Sequence, residues 1–164
     1  MARIGLLPLG RPTFDVPFAE AMAARAIAEL EKIGHQIIGT RNLLFDAAAA
    51  NAALDSLAGE QLDLLLILQV TFTDASMTVT IAQQAKAPLG IWAFPEPRLG
   101  ERLRLNAFCG LNLAAHALGR AGRPFRWAYA APDAGQMPDV LDALFGLAER
   151  DAVFPVGPKP TVFD

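Results

Sequence analysis

The hydrophobic and polar positions of the chain form two alternating patterns. Short apolar runs predict five strands, over residues 3–9, 36–39, 62–70, 88–94 and 125–130. Segments with a helical repeat predict five helices, over residues 16–33, 47–58, 73–85, 107–121 and 137–149. Residues 152–164 contain three prolines and predict an extended tail or linker, so we expect one domain over residues 1–151.

The alternation of strands and helices predicts the fold class. Five consecutive aliphatic residues at positions 64–68 indicate a strand buried on both faces, as in the middle of a parallel sheet. Strands that alternate with helices predict an α/β fold with helices on both faces of the sheet. Five such units fit a three-layer, doubly wound, five-stranded parallel sheet of the flavodoxin-like or Rossmann-like type, with strand order 2-1-3-4-5.

Composition narrows the class of protein. The chain has 164 residues, of which 53% are hydrophobic and 19% charged, with a net charge of −3. These values exclude a disordered chain and argue against a nucleic-acid surface, which needs a basic stripe. The longest apolar run is too short to span a bilayer, so we expect no membrane partner. A single cysteine favours a reducing, cytoplasmic setting.

The edge of the sheet where the strands end is the expected place for a ligand. Five arginines follow predicted strands and fall on this edge: Arg11, Arg41, Arg98, Arg102 and Arg104. Mixed with polar and aromatic residues, they are suited to bind a polyhydroxylated or anionic small molecule. The alternative is that arginines simply occupy exposed loops. The candidate substrate-binding residues from these loops include Thr13, Gln69, Arg98 and Asn106.

Other chemistry is sparsely represented. Neither a GxGxxG nor a GxxxxGK[ST] motif is present, so binding of a flavin nucleotide has only the fold in its favour. His35 is expected in an exposed loop at the opposite edge of the sheet, and His116 lies within a predicted helix. No His, Cys, Asp or Glu set has metal-ligand spacing. Cys109 is expected to be a buried, inert thiol, and Asp74 a helix cap. Trp127 lies in a predicted strand and is expected in the core.

Several segments together resemble a known family. The chain resembles the N-terminal domain of the L-fucose isomerase and L-arabinose isomerase-like family over nearly its whole length. The matching segments are residues 5–15 (GLLPLGRPTFD), 69–77 (QVTFTDASM), 96–98 (EPR), 105–110 (LNAFCG) and 112–116 (NLAAH). This resemblance implies a Rossmann-like domain of a metal-dependent aldose–ketose isomerase.

The resemblance also implies roles for particular residues. Arg11 corresponds to a sugar-contacting arginine, Phe72 to an aromatic wall of the pocket, and His116 to a pocket histidine of the arabinose enzymes. Leu113 stands where the arabinose enzymes have a glutamine. The family's Mn²⁺ is held in later domains, so no cofactor is expected in this chain, which alone is expected to be inactive. The domain is expected to reach the sugar pocket of a neighbouring subunit in a homo-oligomer.

Three hypotheses remain open at this point. The first is an N-terminal domain of a sugar isomerase, with the metal ligands outside the chain. The second is a free-standing module that binds a sugar or phosphosugar without catalysis. The third is a flavodoxin-like cofactor carrier, which only the fold supports.

Overall fold

A computed structural model of the chain describes residues 1–97, 100 and 102–146. The five strands form one parallel sheet in the order β2-β1-β3-β4-β5, with β1 at Arg3–Leu9, β2 at Gln36–Gly39, β3 at Leu64–Gln69, β4 at Leu89–Ala93 and β5 at Arg126–Tyr129. The helices are α1 at Val16–Lys32, α2 at Ala47–Asp55, α3 at Ala75–Gln84, α4 at Ala107–Arg120 and α5 at Met137–Phe145. The predicted fold class and strand order are confirmed.

Element ends differ from the sequence-based expectation by a few residues. Helix α2 ends at Asp55 rather than at residue 58, because the chain tightens into turns in which Leu57 and Ala58 bond to carbonyls three residues back. Strand β3 is two residues shorter at its start and one at its end. The predicted tail, residues 152–164, lies outside the described residues, and the domain limit at residue 151 stays a prediction.

The central strand carries the core, as its aliphatic run predicts. All six positions of β3 are buried, and its register places Leu66 beside Leu6 of β1 and Gly90 of β4. Beyond it, Trp92 and Phe94 are both fully buried and meet edge to face, with ring centroids 5.4 Å apart. The sheet is therefore a rigid platform for the loops at its ends.

The helices form two layers that leave one edge of the sheet available to loops. Helices α2, α3 and α4 contact one another in succession, and right-handed crossovers place α1 and α5 on the opposite face. Each strand points the same way, so the loops after β1, β3 and β4 meet at one edge. We call this edge, formed by residues 10–15, 69–74, 95–97 and 102–106, the carboxyl edge.

Two side chains expected in the core are exposed. Trp127 is 39% exposed because β5 is the last strand of the sheet and its outward positions lack a further strand beside them. Cys109 is exposed, so its predicted burial is wrong: its neighbours Ala107 and Gly110 face the sheet, and the helical repeat turns Cys109 outward with Phe108. Among the described residues, no helix has the length and apolar character needed to cross a membrane.

His35 predicts a pH dependence of stability. It is partly buried rather than exposed; its Nδ1 accepts a hydrogen bond from the backbone N–H of Ala2 at 3.2 Å, and its ring stacks on Phe145. Burial, and then the N-terminal amine, lower the pKa of His35 below its usual value of about 6.5. The unfolded chain therefore binds this proton more tightly than the folded chain does. The His35 contribution to the free energy of unfolding should fall as the pH drops from about 6.5 through the folded-state pKa.

The measurement is the thermal midpoint at several pH values between about 7.5 and 5. The variant His35→Phe keeps a ring to stack on Phe145 but cannot titrate, so its midpoint should fall less than that of the natural chain. His116 is present in both proteins and cancels in the comparison. Parallel pH profiles for the two proteins would contradict the assignment.

Candidate functional site

Arg11 is the best-connected of the candidate site residues on the carboxyl edge. It follows β1, and its backbone N–H donates to Thr71 Oγ1 at 2.8 Å, which fixes the loop after β1 against the loop after β3. Its guanidinium Nη2 donates to Asp74 Oδ2 at 2.8 Å, and its guanidinium carbon Cζ lies 5.4 Å from the ring centroid of Phe72. The side chain is 39% exposed, so it is held in place and still open to a ligand.

Aromatic side chains stand beside the guanidinium. Phe72 is half-buried, and its ring centroid lies 6.4 Å from that of Phe14. The backbone N–H of Phe72 donates to Leu105 O at 2.7 Å, so the loop after β4 also supports it. An apolar ring next to a guanidinium can pack against the carbon face of a sugar while the guanidinium binds its oxygens.

Asp74 keeps its negative charge at neutral pH. It caps α3, and its Oδ1 accepts hydrogen bonds from the hydroxyl and the backbone N–H of Ser76. These bonds, with the nearby Arg11 guanidinium, lower the pKa of Asp74. The Arg11–Asp74 ion pair therefore persists across the neutral range and orients the arginine.

A second ion pair joins the loops after β1 and β4. Both Nε and Nη2 of Arg104 lie 2.8 Å from Asp15 Oδ2, and the guanidinium carbon lies 3.8 Å from the ring centroid of Phe18. Asp15 also caps α1 through the N–H of Phe18, and its own N–H donates to Arg104 O. The Arg104 hydrogen bond, followed by that from the backbone of Phe18, lowers the pKa of Asp15. This pair joins the loop after β1 to the segment before α4.

Gln69 lies beneath the site rather than on its surface. It is fully buried, and its Nε2 donates to Thr71 O at 2.7 Å and to Thr73 Oγ1 at 2.9 Å. Its Oε1 accepts no hydrogen bond from the described part of the chain. Gln69 thus supports the loop that presents Thr71 and Phe72.

Gly110 is the position where α4 approaches this glutamine. A Cβ atom added at Gly110 would stand 2.8 Å from Gln69 Nε2, which is buried and held by two hydrogen bonds. Gly110→Ala should therefore lower the free energy of unfolding by about 1–3 kcal/mol. Chemical unfolding measures this loss.

Two further variants test the cause. At Gly119, in the same helix, an added Cβ has nothing within 4 Å, so Gly119→Ala should be neutral or stabilise by up to about 1 kcal/mol. In a Gln69→Ala background the cost of Gly110→Ala should largely disappear, because the two side chains then no longer compete for space. An undiminished cost in that background would refute the contact as its cause.

Three further candidate residues, Thr13, Asn106 and Arg98, differ in where the structure places them. Thr13 is exposed in the turn after β1. Asn106 is half-buried directly before α4, in the left-handed region with a φ of 51°, and makes no side-chain capping bond. Arg98 lies outside the described residues. The ligand roles predicted for these three residues stay predictions.

His116 and Arg41 lie away from the residues around Arg11. His116 is exposed on α4, about 14 Å along the helix axis from Ala107 at the usual helical rise. Within the described ranges, no hydrogen bond or ion pair joins His116 to Arg11 or Phe72. Arg41 pairs with Glu31 near the end of α1 rather than with an acidic residue of the carboxyl edge.

Three acidic residues organise the site, and none was among the candidates. Asp15, Asp74 and Glu96 hold Arg104, Arg11 and the segment before α4, respectively. Their positions directly after strands were visible in the sequence, but their partners were not. Asp15 and Arg104, for example, are 89 residues apart.

The described residues do not fit a divalent ion. No group of three or more His, Cys, Asp or Glu side chains in residues 1–97, 100 and 102–146 is arranged to hold a metal. The acidic side chains at the carboxyl edge are instead hydrogen-bonded to arginines and backbone N–H groups.

Comparison with known proteins identifies relatives. The chain is 32% identical over 127 residues to a sulfoquinovose isomerase of Priestia aryabhattai, an alignment that covers 77% of this chain and 28% of the relative. Proteins of the same name from a Clostridium species and from Alkalicoccus urumqiensis are 29% identical over 133 residues and 25% identical over 145 residues. These alignments cover 80% and 88% of this chain, and 29% and 32% of the relatives.

One family matches most of the chain. The family described as fucose/sulfoquinovose isomerase, N-terminal domain, matches residues 5–148, which include every loop of the carboxyl edge. The resemblance stated from the sequence is confirmed, and the chain spans about three tenths of the length of the relatives it matches. The chain therefore belongs to the fucose/sulfoquinovose isomerase N-terminal domain family.

Proposed function

We propose that this domain forms the sugar-orienting wall of an aldose–ketose isomerase, with Arg11 and Phe72 as its principal ligand contacts. The observation that supports this most is the position of the Arg11 guanidinium, next to the ring of Phe72 and fixed by Asp74. This arrangement offers directed N–H donors and an apolar surface side by side. A sugar needs both, because its hydroxyls and its carbon skeleton face different directions.

The substrate class follows from the charge of this wall. The relatives are named for sulfoquinovose, a sugar that carries a sulfonate. A guanidinium binds such oxyanions through paired, charge-assisted hydrogen bonds. We propose that Arg11 takes the sulfonate of a sulfonated sugar and that Phe72 packs against the ring. A neutral sugar such as glucose would keep only the second contact.

The chemical step belongs outside the described residues in this proposal. Aldose–ketose isomerisation needs a group that polarises a carbonyl and a group that moves a proton or hydride. Asp15, Asp74 and Glu96 are each engaged in helix caps, ion pairs or backbone hydrogen bonds. The chain also spans about three tenths of its relatives. We assign the reacting groups, and the Mn²⁺ expected from the family, to the remaining parts of the enzyme.

The exposed carboxyl edge would then face that remaining part. In the proposed arrangement the edge lies against the pocket of a neighbouring subunit, as the resemblance implies. Arg11 and Phe72 are open enough to contact a ligand that a neighbouring chain also binds. The family and the single cysteine favour a cytoplasmic setting.

The test combines titration and turnover. The chain is titrated by calorimetry with sulfoquinovose, glucose, L-fucose and glucose 6-phosphate, and assayed for ketose formation with Mn²⁺. We expect sulfoquinovose to bind more tightly than glucose, with no turnover. Turnover by the chain alone would contradict the assignment of chemistry elsewhere, and no binding of any sugar would contradict the sugar contacts. Tightest binding of the sugar phosphate would favour a phosphosugar module instead.

A further inference from the structure

Glu96 occupies the backbone N–H groups of the segment that leads into α4. Its Oε2 accepts from the N–H of Arg104 at 2.9 Å, and its Oε1 accepts from the N–H groups of Leu105 and Asn106 at 2.9 and 2.5 Å. Three consecutive N–H groups that converge on one carboxylate form an anion-binding concavity. In this chain the anion is part of the protein.

The position of this concavity gives it functional meaning. It lies on the carboxyl edge, directly before a helix, which is where α/β proteins commonly bind phosphate groups. The same segment contacts the rest of the site, since Leu105 O accepts from Phe72 N and Arg104 O accepts from Asp15 N. If this concavity were open, it and Arg11 would be alternative binding sites for the anionic group of a ligand.

We propose that Glu96 is a specificity-determining residue, whose carboxylate fills this concavity and so directs the anionic group of a ligand to Arg11. The proposal rests on the proposed function for the identity of the ligand. The existence of the blocked anion site does not depend on the proposed function.

The test is gain of anion binding. Glu96→Ala frees three N–H groups, and the probe is inorganic phosphate, followed by amide chemical shifts in NMR spectra. We expect the Arg104, Leu105 and Asn106 amides of this variant to shift with phosphate, with an affinity at least about tenfold above that of the natural chain. The matched control is Glu60→Ala, which removes an exposed carboxylate paired with Arg3 at the opposite edge and should gain nothing.

A second variant covers the case in which Glu96→Ala does not fold. Glu96→Gln keeps an oxygen for Leu105 and Asn106, removes the negative charge and opposes an NH₂ group to the N–H of Arg104. We expect it to bind phosphate about threefold to fivefold more tightly than the natural chain, with the largest shift at Arg104. If Glu96 only stabilised the fold, its replacement would lower the thermal midpoint without creating any anion site.

The outcomes separate this inference from the proposed function. If the folded Glu96 variants show no phosphate-dependent shift at residues 104–106, the inference is overturned even when the natural chain binds sulfoquinovose. If the natural chain binds no sugar but Glu96→Ala gains phosphate, the proposed function fails and the blocked anion site stands. In the expected case, sulfoquinovose shifts Arg11 and Phe72 in the natural chain and additionally shifts residues 104–106 in Glu96→Ala.

Discussion

Replacing Arg11 with alanine is expected to raise the Kd for sulfoquinovose roughly 10-fold to 100-fold, because hydrogen bonds to a charged group contribute about 1.5–3 kcal/mol. The free energy of unfolding should change by at most about 1 kcal/mol, since the Arg11–Asp74 ion pair is exposed. Arg11→Lys keeps the charge but not the planar guanidinium, so its Kd for sulfoquinovose should lie between those of the natural chain and Arg11→Ala. Calorimetric titration and chemical unfolding of the same samples measure both effects.

The chain supplies a matched control for this substitution. Arg41 is also an exposed arginine in an ion pair with a carboxylate, but its partner is Glu31 near the end of α1. Arg41→Ala should leave the Kd for sulfoquinovose unchanged within error and alter stability to a similar small extent. If both variants lose affinity equally, general electrostatic attraction rather than a contact at Arg11 explains the binding.

Phe94→Ala is expected to lower the free energy of unfolding by about 3–5 kcal/mol. Phe94 is fully buried directly after β4, and it packs edge to face against Trp92 at 5.4 Å. Removing the ring leaves a cavity below the loop that contains Glu96, and the sheet cannot close around it without bending β4. The measurement is the free energy of unfolding from a urea titration.

The control for this prediction is another phenylalanine of the same domain. Phe108 is 50% exposed on α4, where its ring contacts Tyr129. Phe108→Ala should lower the free energy of unfolding by at most about 1 kcal/mol, because the exposed ring buries little apolar area and its removal leaves no internal cavity. Similar losses for both variants would mean that the core does not depend on Phe94 as described.

The fold was predictable because its signals are local and repeated. The aliphatic run in β3 requires burial on both faces, and the aspartates before α1, α2 and α3 are N-caps in the structure as helix-start rules expect. Errors arose where tertiary context decides exposure. Cys109 has apolar neighbours in sequence, yet the turn of α4 directs it outward, and Trp127 is exposed because β5 is an edge strand.

The site was predictable only in part. The rule that loops after parallel strands share an edge brought Arg11 and Phe72 together correctly. The pairing of Asp15 with Arg104 and the three hydrogen bonds to Glu96 were not predictable, because they depend on how distant loops fold over one another. Gln69 shows the same limit: its place at the end of a strand suggested a surface role, whereas its side chain lies under the loop it supports.

In the proposed function, a sugar binds at the carboxyl edge through Arg11 and Phe72. The most direct measurement is the map of amide chemical-shift changes in the natural chain during titration with sulfoquinovose. We expect the largest changes in residues 10–15 and 69–74, and weaker changes around Arg11 with glucose. Changes centred elsewhere on the domain, or equal changes around Arg11 with both sugars, would contradict it.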